Sequence, residues 1–466
     1  MRLDSFFKPS SVAVIGASRE QGKLGYEILR NILEAGFKGG LYPINPKADE
    51  ILGLKCYRSV KDVPHEVELA IVVVPARLVP SVMSDCAEKG VKAAVVISGG
   101  FSEIGPAGEE LERQLVEISR RAGIRIIGPN CQGVISTSAG LCASWPLVKV
   151  RGHVSVISQS GTIGAALGCW ASQEQVGIDK LVALGNKCDV DEIELLEYFA
   201  KDPQTKVIAL YMEGVRDGRR FLEVARNAAR EKPIVVLKGG RTRKGAEAVL
   251  SHTRSIAGSD AIFDLAFKQA GAIRVFDVEE MYDACKGFAS LPLPAGPNVI
   301  IITSSGGSGI LATDACEELG LNVIELPADV RHLLKEKLPQ ECVLRNPLDL
   351  TGSATSAMYD EAITALSESR EVHSILAIVG DPMPGIAEVV AKHFHGGKTL
   401  VIAMLGGGEV ELEERAKLQK LGIPVYSSPV RAARVLAALG RYAEMKAGRL
   451  GRNLKIRDVS NESEAG

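Results

Sequence analysis

The sequence lacks any apolar run of the ~20 residues that a membrane-spanning helix needs; Gly, Pro or a charged residue interrupts each candidate. It also lacks a block of one charge sign, with a formal net charge of −2 over 466 residues. Nucleic acid and anionic membrane surfaces are attracted by such blocks, so neither is expected as a partner. The nine cysteines include no CxxC pair. Their scatter argues against a zinc site or a disulfide framework and fits reduced thiols in a cytoplasm. The start, MRLDSFFKPSSVAVIGAS, does not read as a signal peptide, because its apolar run is a strand leading into a glycine loop.

What is present is ordinary for a globular protein, with 46% hydrophobic and 24% charged residues. The length exceeds what one hydrophobic core supports, so two to four domains are expected. Short β-branched runs such as SVAVIGAS, LAIVVVPA, HVSVISQSG, VIALYMEG and PIVVLKGG alternate with amphipathic stretches. Unalternating apolar runs suit strands buried on both faces of a parallel sheet. LGYEILRNILEAGF has apolar residues three and four apart and a terminal Gly, and predicts a helix. The fold class expected is α/β: three Rossmann-like or flavodoxin-like doubly wound domains with mostly parallel sheets. Boundaries fall where strands restart, giving domains over 1–145, 146–290 and 298–450. The Pro-rich stretch 291–297 reads as a linker and 451–466 as a polar tail.

Three strand–loop–helix junctions echo one another: VAVIGASREQGKLG, VSVISQSGTIGAA and VIIITSSGGSGILA. Small residues at a strand-to-helix turn leave backbone N–H groups free for phosphate, although tight βα turns alone also demand Gly. The first loop, Gly16 to Gly25, has the wrong spacing for GxGxxG, and the second strand ends in Asn45-Pro46-Lys47, where an NAD site wants an acid. Ser18, Lys23 and Lys47 suit a phosphorylated ligand instead, and coenzyme A fits them.

In the second domain, Ser158-Gln-Ser160-Gly161-Thr162 opens a helix whose first N–H groups form an anion site. Glu213 ends a buried strand, where catalytic groups of open α/β sheets sit; a helix-terminal acid or surface charge is the simpler alternative. His252 lies in a polar, Gly-flanked stretch that reads as a loop, preceded by Arg241, Arg243 and Lys244. A lone histidine is usually structural, but imidazole is also a nucleophile towards phosphorus, and Glu213 would orient its ring. Asp189, Asp191 and Glu192 read as caps of the helix EIELLEYFA. His393 and His395 read as a solvated helix end, and Cys131 as a small buried residue.

Taken in order, these motifs resemble the acyl-CoA synthetases that release a nucleoside diphosphate, the superfamily of succinyl-CoA synthetase, and among them the archaeal ADP-forming type. The resemblance covers Met1 to about Gly448. The family's phosphohistidine stretch S-H-T-G-S-[LI]-A-G-S reads here Ser251-His252-Thr253-Arg254-Ser255-Ile256-Ala257-Gly258-Ser259, with Arg254 in place of Gly. G-P-N-[CS]-x-G falls on Gly128 to Gly133, and N-P-[LV]-D-[LF] on Asn346 to Leu350. The resemblance implies catalytic roles for His252 and Glu213. It implies phosphate binding by Ser158, Ser160, Gly161, Thr162 and Asn130. CoA contacts are implied at Gly16, Ala17, Ser18, Lys23, Leu24, Gly25, Asn45, Lys47, Pro75, Ser98 and Gly99. No segment resembles an ATP-grasp domain. The implied protein is therefore an α subunit, working with an ATP-grasp β subunit that binds ADP or ATP with Mg2+, in an α2β2 assembly. The implied reaction is acetyl-CoA + ADP + phosphate ⇌ acetate + ATP + CoA, through acyl phosphate and phosphohistidine. A non-catalytic CoA-binding regulator is the alternative. The acyl group is not legible.

Overall fold

The computed structural model describes residues 3–253 and 258–448, and of residues 250–253 the backbone alone. The chain divides into two compact units, Met1–Ala289 and Ser290–Gly466.

The first unit holds two large sheets. One is wholly parallel, in the order Gly40–Ile44, Ser11–Ile15, Leu69–Val72, Ala93–Val96, Arg125–Ile127. Helices enter between successive strands, so strands such as Ser11–Ile15 and Leu69–Val72 are buried along their whole length. That double-sided burial is why they read as continuous apolar runs. The expected helix forms over Leu24–Ala35, and Gly36 ends it in the left-handed conformation at φ +84°.

The second sheet has the parallel order Ile273–Val275, Ile234–Lys238, Val207–Met212, Arg151–Ser158, Ile178–Ala183. An antiparallel hairpin, Gly133–Ser136 with Leu141–Ser144, continues it past Ile178–Ala183. Within the first unit the two sheets are tied at several points. Arg125, beginning the last strand of the first sheet, pairs with Asp189 at 2.9 Å and Glu194 at 3.0 Å. The ring of Phe7 stacks on Tyr198, whose hydroxyl donates to Asp4 at 2.8 Å.

The second unit carries a third sheet, in the order Asn322–Val323, Asn298–Thr303, Ser374–Val379, Thr399–Met404, Val425–Tyr426. A short strand, Leu348–Asp349, pairs with the carboxyl half of Asn298–Thr303. All three sheets share one pattern. The first parallel strand in sequence lies between the second and a later one, so the chain reverses its direction of progress across the sheet beside it. Ligands of open α/β sheets bind outside the carboxyl ends of the strands at such a reversal. Among the described residues, no helix is long and apolar enough to cross a membrane.

Candidate functional site

At the reversal point of the first sheet, strands Ser11–Ile15 and Leu69–Val72 run side by side and their chains leave in opposite directions. The crossing is tight. Gly16 has φ +93°, and a Cβ there would sit 2.3 Å from the carbonyl oxygen of Val73. A Cβ on Gly25 would lie 2.1 Å from the carbonyl oxygen of Gly16. Only glycine allows both approaches. The Asn45 amide donates to the Ala17 carbonyl at 2.7 Å and accepts from the Lys47 N–H at 2.8 Å. The Ser98 hydroxyl donates to the Val74 carbonyl at 2.5 Å, beside Pro75. Gly16, Ala17, Gly25, Asn45, Pro75, Ser98 and Gly99 thus line one carboxyl edge. Leu24 opens the helix Leu24–Ala35 there, with Lys23 in the cap position and no side-chain cap. Ser18 accepts from the Glu20 N–H, and Lys23 pairs with Glu20 at 2.8 Å. The Lys23 side chain is 59% exposed and Lys47 is exposed, so both ammoniums reach water at the rim of this edge.

The segment Gly128–Gly133 leads from this edge to the next. Asn130 donates its N–H to the Ser98 carbonyl at 2.9 Å, and its side chain donates to Asn186 at 3.2 Å. A Cβ on Gly99 would lie 3.1 Å from the Asn130 side-chain oxygen. Two residues on, Gln132 covers the start of the helix Gly161–Gln173: a Cβ on Gly161 would meet its Cγ at 2.4 Å. Among the described residues the buried Gln132 side-chain oxygen has no hydrogen-bond partner. Cys131 is buried, burial pushes its thiol up to about 12, and its Sγ lies 3.4 Å from the Val96 carbonyl, so it is a packing residue.

At the carboxyl edge of the second sheet, Ser158 is fully buried and its hydroxyl donates to the Ser160 carbonyl. Ser160 caps the helix by accepting from the Ile163 N–H, which leaves Gly161 and exposed Thr162 in its first turn. Glu213 follows the strand Val207–Met212 directly and is 4% exposed. The Tyr211 hydroxyl donates to its carboxylate at 3.3 Å. Three residues in this arrangement escaped the sequence reading. Gln159 accepts from the N–H groups of Glu213 and Gly214, at 2.7 and 3.2 Å, and donates to the Gly214 carbonyl at 2.8 Å. Lys187, in the left-handed conformation at φ +56°, pairs with buried Glu192 at 3.1 Å and donates to Gly214 at 3.3 Å. Lys238 ends the strand next to that of Glu213 and is 1% exposed. Its signal was available: PIVVLKGG puts a charged residue where VIALYMEG puts Glu213, at the end of an apolar run.

The reading of the histidine stretch as a loop is corrected. Arg243–Thr253 is a helix, begun where Thr242 accepts from the Gly245 N–H at 3.1 Å. Glu247 then pairs with both Arg243 and Lys244, so these two cations brace the helix. His252 lies in the last turn of this helix, and its side chain, like all of Arg254, lies outside the described residues. The described chain resumes at Gly258, where a Cβ would sit 3.0 Å from the Phe263 ring.

The remaining candidates are structural. Asp191 caps the helix Glu192–Lys201, as expected, accepting from Ile193 and Glu194. Asp189 and Glu192 do other work, as the partners of Arg125 and Lys187. His393 is not a solvated helix end: it is mostly buried and bonds Asp360 at 2.5 Å. Among the described residues no cluster of His, Cys, Asp and Glu is arranged to hold a metal.

Three families match consecutive stretches: a CoA binding domain over residues 10–137, a succinyl-CoA ligase like flavodoxin domain over 151–288, and a ligase-CoA domain over 299–451. The α subunit of acetate–CoA ligase (ADP-forming) I from Pyrococcus furiosus is 43% identical over 96% of this chain and 99% of its own length. Acetate–CoA ligase (ADP-forming) I from Archaeoglobus fulgidus is also 43% identical, but this chain spans 64% of it. Among solved structures, acetyl-coenzyme A synthetase 1 of Ca. Korarchaeum cryptofilum, in complex with phosphate and ADP, superposes with a TM-score of 0.91 at 40% identity. That match covers 97% of this chain and 99% of the other. The chain belongs to the family of ADP-forming acetate–CoA ligase α subunits.

Proposed function

We propose that the chain catalyses the CoA and phosphoryl half-reactions of an acid–CoA ligase that interconverts acyl-CoA, ADP and phosphate with acid, ATP and CoA. A phosphate oxygen attacks the thioester carbonyl; the carbon–sulfur bond breaks and CoA leaves as the thiol. An imidazole nitrogen of His252 then attacks phosphorus and expels the carboxylate, leaving phosphohistidine. The phosphoryl group finally passes to ADP. The observation that carries this reading is the segment Gly128–Gly133. It touches the first sheet's edge through Asn130 and Ser98, and the helix start through Gln132 and Gly161. A ligand lying on the first edge therefore has its reactive end within reach of an anion site.

In this reading Gly16, Ala17, Ser18, Leu24, Gly25, Asn45, Pro75, Ser98 and Gly99 contact CoA, with Lys23 and Lys47 on its phosphates. Ser158, Ser160, Gly161, Thr162 and Asn130 hold phosphate. The helix N-terminus there supplies N–H groups and a partial positive charge to the transferring group. Glu213 orients the His252 ring. The tight Gly16 crossing and the Ser160 cap support these assignments.

The nucleotide site belongs, in our reading, to a separate ATP-grasp β subunit. The curated relatives support this: the P. furiosus relatives of matching length are called α subunits, whereas the A. fulgidus relative is a longer single chain. We propose an α2β2 assembly in the cytoplasm, and domains over 1–145, 146–290 and 298–450. The three family matches and three sheets support that division, with the hairpin after Gly133 lending its strands to the second sheet. The test is ATP formation from acetyl-CoA, ADP and phosphate. Activity is expected with the partner and none from this chain alone, which should still bind CoA. A purely regulatory CoA binder would show no turnover with the partner present.

A further inference from the structure

Among the described residues the side-chain amide of Gln132 bonds nothing: its oxygen is buried without a partner, and its nitrogen donates to none of them. Native folds pair nearly all buried polar groups, so an orphan at a ligand site marks where a ligand bonds. A neighbour without a side chain makes room for this amide. A Cβ on Gly161 would lie 2.4 Å from the Gln132 Cγ and 2.7 Å from its Cδ, so any other residue there would displace it. Gly161 is the first residue of the helix Gly161–Gln173. Ser160 caps only the Ile163 N–H, and the N–H groups of Gly161 and Thr162 have no partner among the described residues. The amide therefore lies over the helix start, beside two free backbone donors. Those donors can only give hydrogen bonds. Inorganic phosphate near neutral pH still carries a proton, and its P–OH needs an acceptor. A carboxamide supplies a donor and an acceptor together.

We propose that Gln132 binds the phosphate that attacks the thioester and selects it against sulfate: Nε2 donates to one phosphate oxygen while Oε1 accepts the P–OH. The inference rests on the phosphate site of the proposed function. In that step a phosphate oxygen bonds the thioester carbon, the carbon–sulfur bond breaks, and the proton carried by phosphate ends on the CoA sulfur. Gln132 makes and breaks no covalent bond. Sulfate has the same shape but no proton near neutral pH, so it would leave Oε1 unpaired with an anion's lone pairs facing it. A polar group left unpaired by the wrong ligand is a source of specificity.

The test uses the full chain with acetyl-CoA and radiolabelled inorganic phosphate, and sulfate as a competitor. Gln132→Met keeps the length of the side chain and removes both polar atoms. It should raise the KM for phosphate by about 10–100-fold, the range for losing a hydrogen bond to a charged group. The inhibition constant of sulfate should rise less, so the preference for phosphate over sulfate falls. The KM for acetyl-CoA should stay unchanged. The melting temperature without phosphate should equal or exceed that of the wild type, because an unpaired buried oxygen is gone. Gln132→Glu keeps an acceptor for the P–OH and repels sulfate, so its preference for phosphate over sulfate should exceed that of the wild type. A wild-type KM for phosphate in Gln132→Met overturns the inference. So does an equal loss of phosphate and sulfate, which would make Gln132 a packing residue over the helix start. If Gln132→Met fails to fold, Gln132→Glu decides: an unchanged or lowered preference for phosphate overturns the inference. A wild-type chain that takes no label would overturn the phosphate site itself, and the inference with it.

Discussion

The side-chain oxygen of Gln159 accepts the backbone N–H of Glu213 at 2.7 Å, and the same amide also bonds both backbone groups of Gly214. One side chain thus fixes the strand end on which the proposed orienting carboxylate stands. Gln159→Leu would take the side-chain acceptor away from two buried backbone N–H groups, each costing about 1–3 kcal/mol, while Lys187 still bonds the Gly214 carbonyl. Lower thermal stability and slower histidine labelling are expected together, with the CoA dissociation constant unchanged. Calorimetry and CoA titration of the variant check this.

Glu213→Gln separates charge from packing. The amide fills the same space, so stability should hold. Labelling should fall by roughly 10²–10⁴-fold, the range for a positioned acid–base or orienting group. Single-turnover labelling is the measurement, and an unchanged rate would reduce Glu213 to a buried structural acid.

Lys23 and Lys47 are both exposed at the rim of the first sheet's edge. If either meets the 3′-phosphate of CoA, its replacement by Ala should weaken CoA more than dephospho-CoA. Equal loss of both ligands by titration would move that lysine to the pyrophosphate or out of the site.

Away from the site, Lys180 is fully buried between Asp179 and Asp202, at 2.5 Å from each. Removing it leaves two buried carboxylates without their cation. Lys180→Met should cost about 3–5 kcal/mol, measured by denaturant unfolding. Lys180 holds the Asp202 carboxyl below its ordinary range, whereas burial holds Asp179 above it. The Asp202 contribution is present above the unfolded carboxylate pKa and is lost as pH falls through the lower folded value. The Asp179 shift runs the other way. Its raised pKa costs stability in full once pH exceeds the folded value, and relieves that cost as the pH falls below the unfolded one. The defect of Lys180→Met should therefore shrink in acid, where both carboxyls are neutral.

The fold was largely legible because strands buried on both faces write continuous apolar runs, as SVAVI and IVVLK do. The strand order was not, since pairing depends on where each crossover helix packs. The hairpin after Gly133 joins the second sheet through contacts with Lys180 to Ala183, which no local pattern announces. At the site, Ser158, Ser160, Gly161, Thr162 and Glu213 stood out as small or acidic residues at strand ends. Gln159 and Lys187 did not, because a polar residue next to a turn looks like a surface residue until its burial is known. The helix Arg243–Thr253 was missed because Gly245 and the surrounding charges suggested a loop, whereas the Glu247 pairs and the Thr242 bond hold a helix there.

The central claim is that His252 carries the phosphoryl group. With the partner and radiolabelled ATP, or with acetyl-CoA and labelled phosphate, this chain should acquire an acid-labile, base-stable phosphate. His252→Ala should abolish both the label and ATP formation, while slow release of acyl phosphate from acyl-CoA and phosphate survives, because that step precedes histidine phosphorylation. Retention of the label by His252→Ala, with its loss on replacing Ser251 or Thr253, would contradict the account.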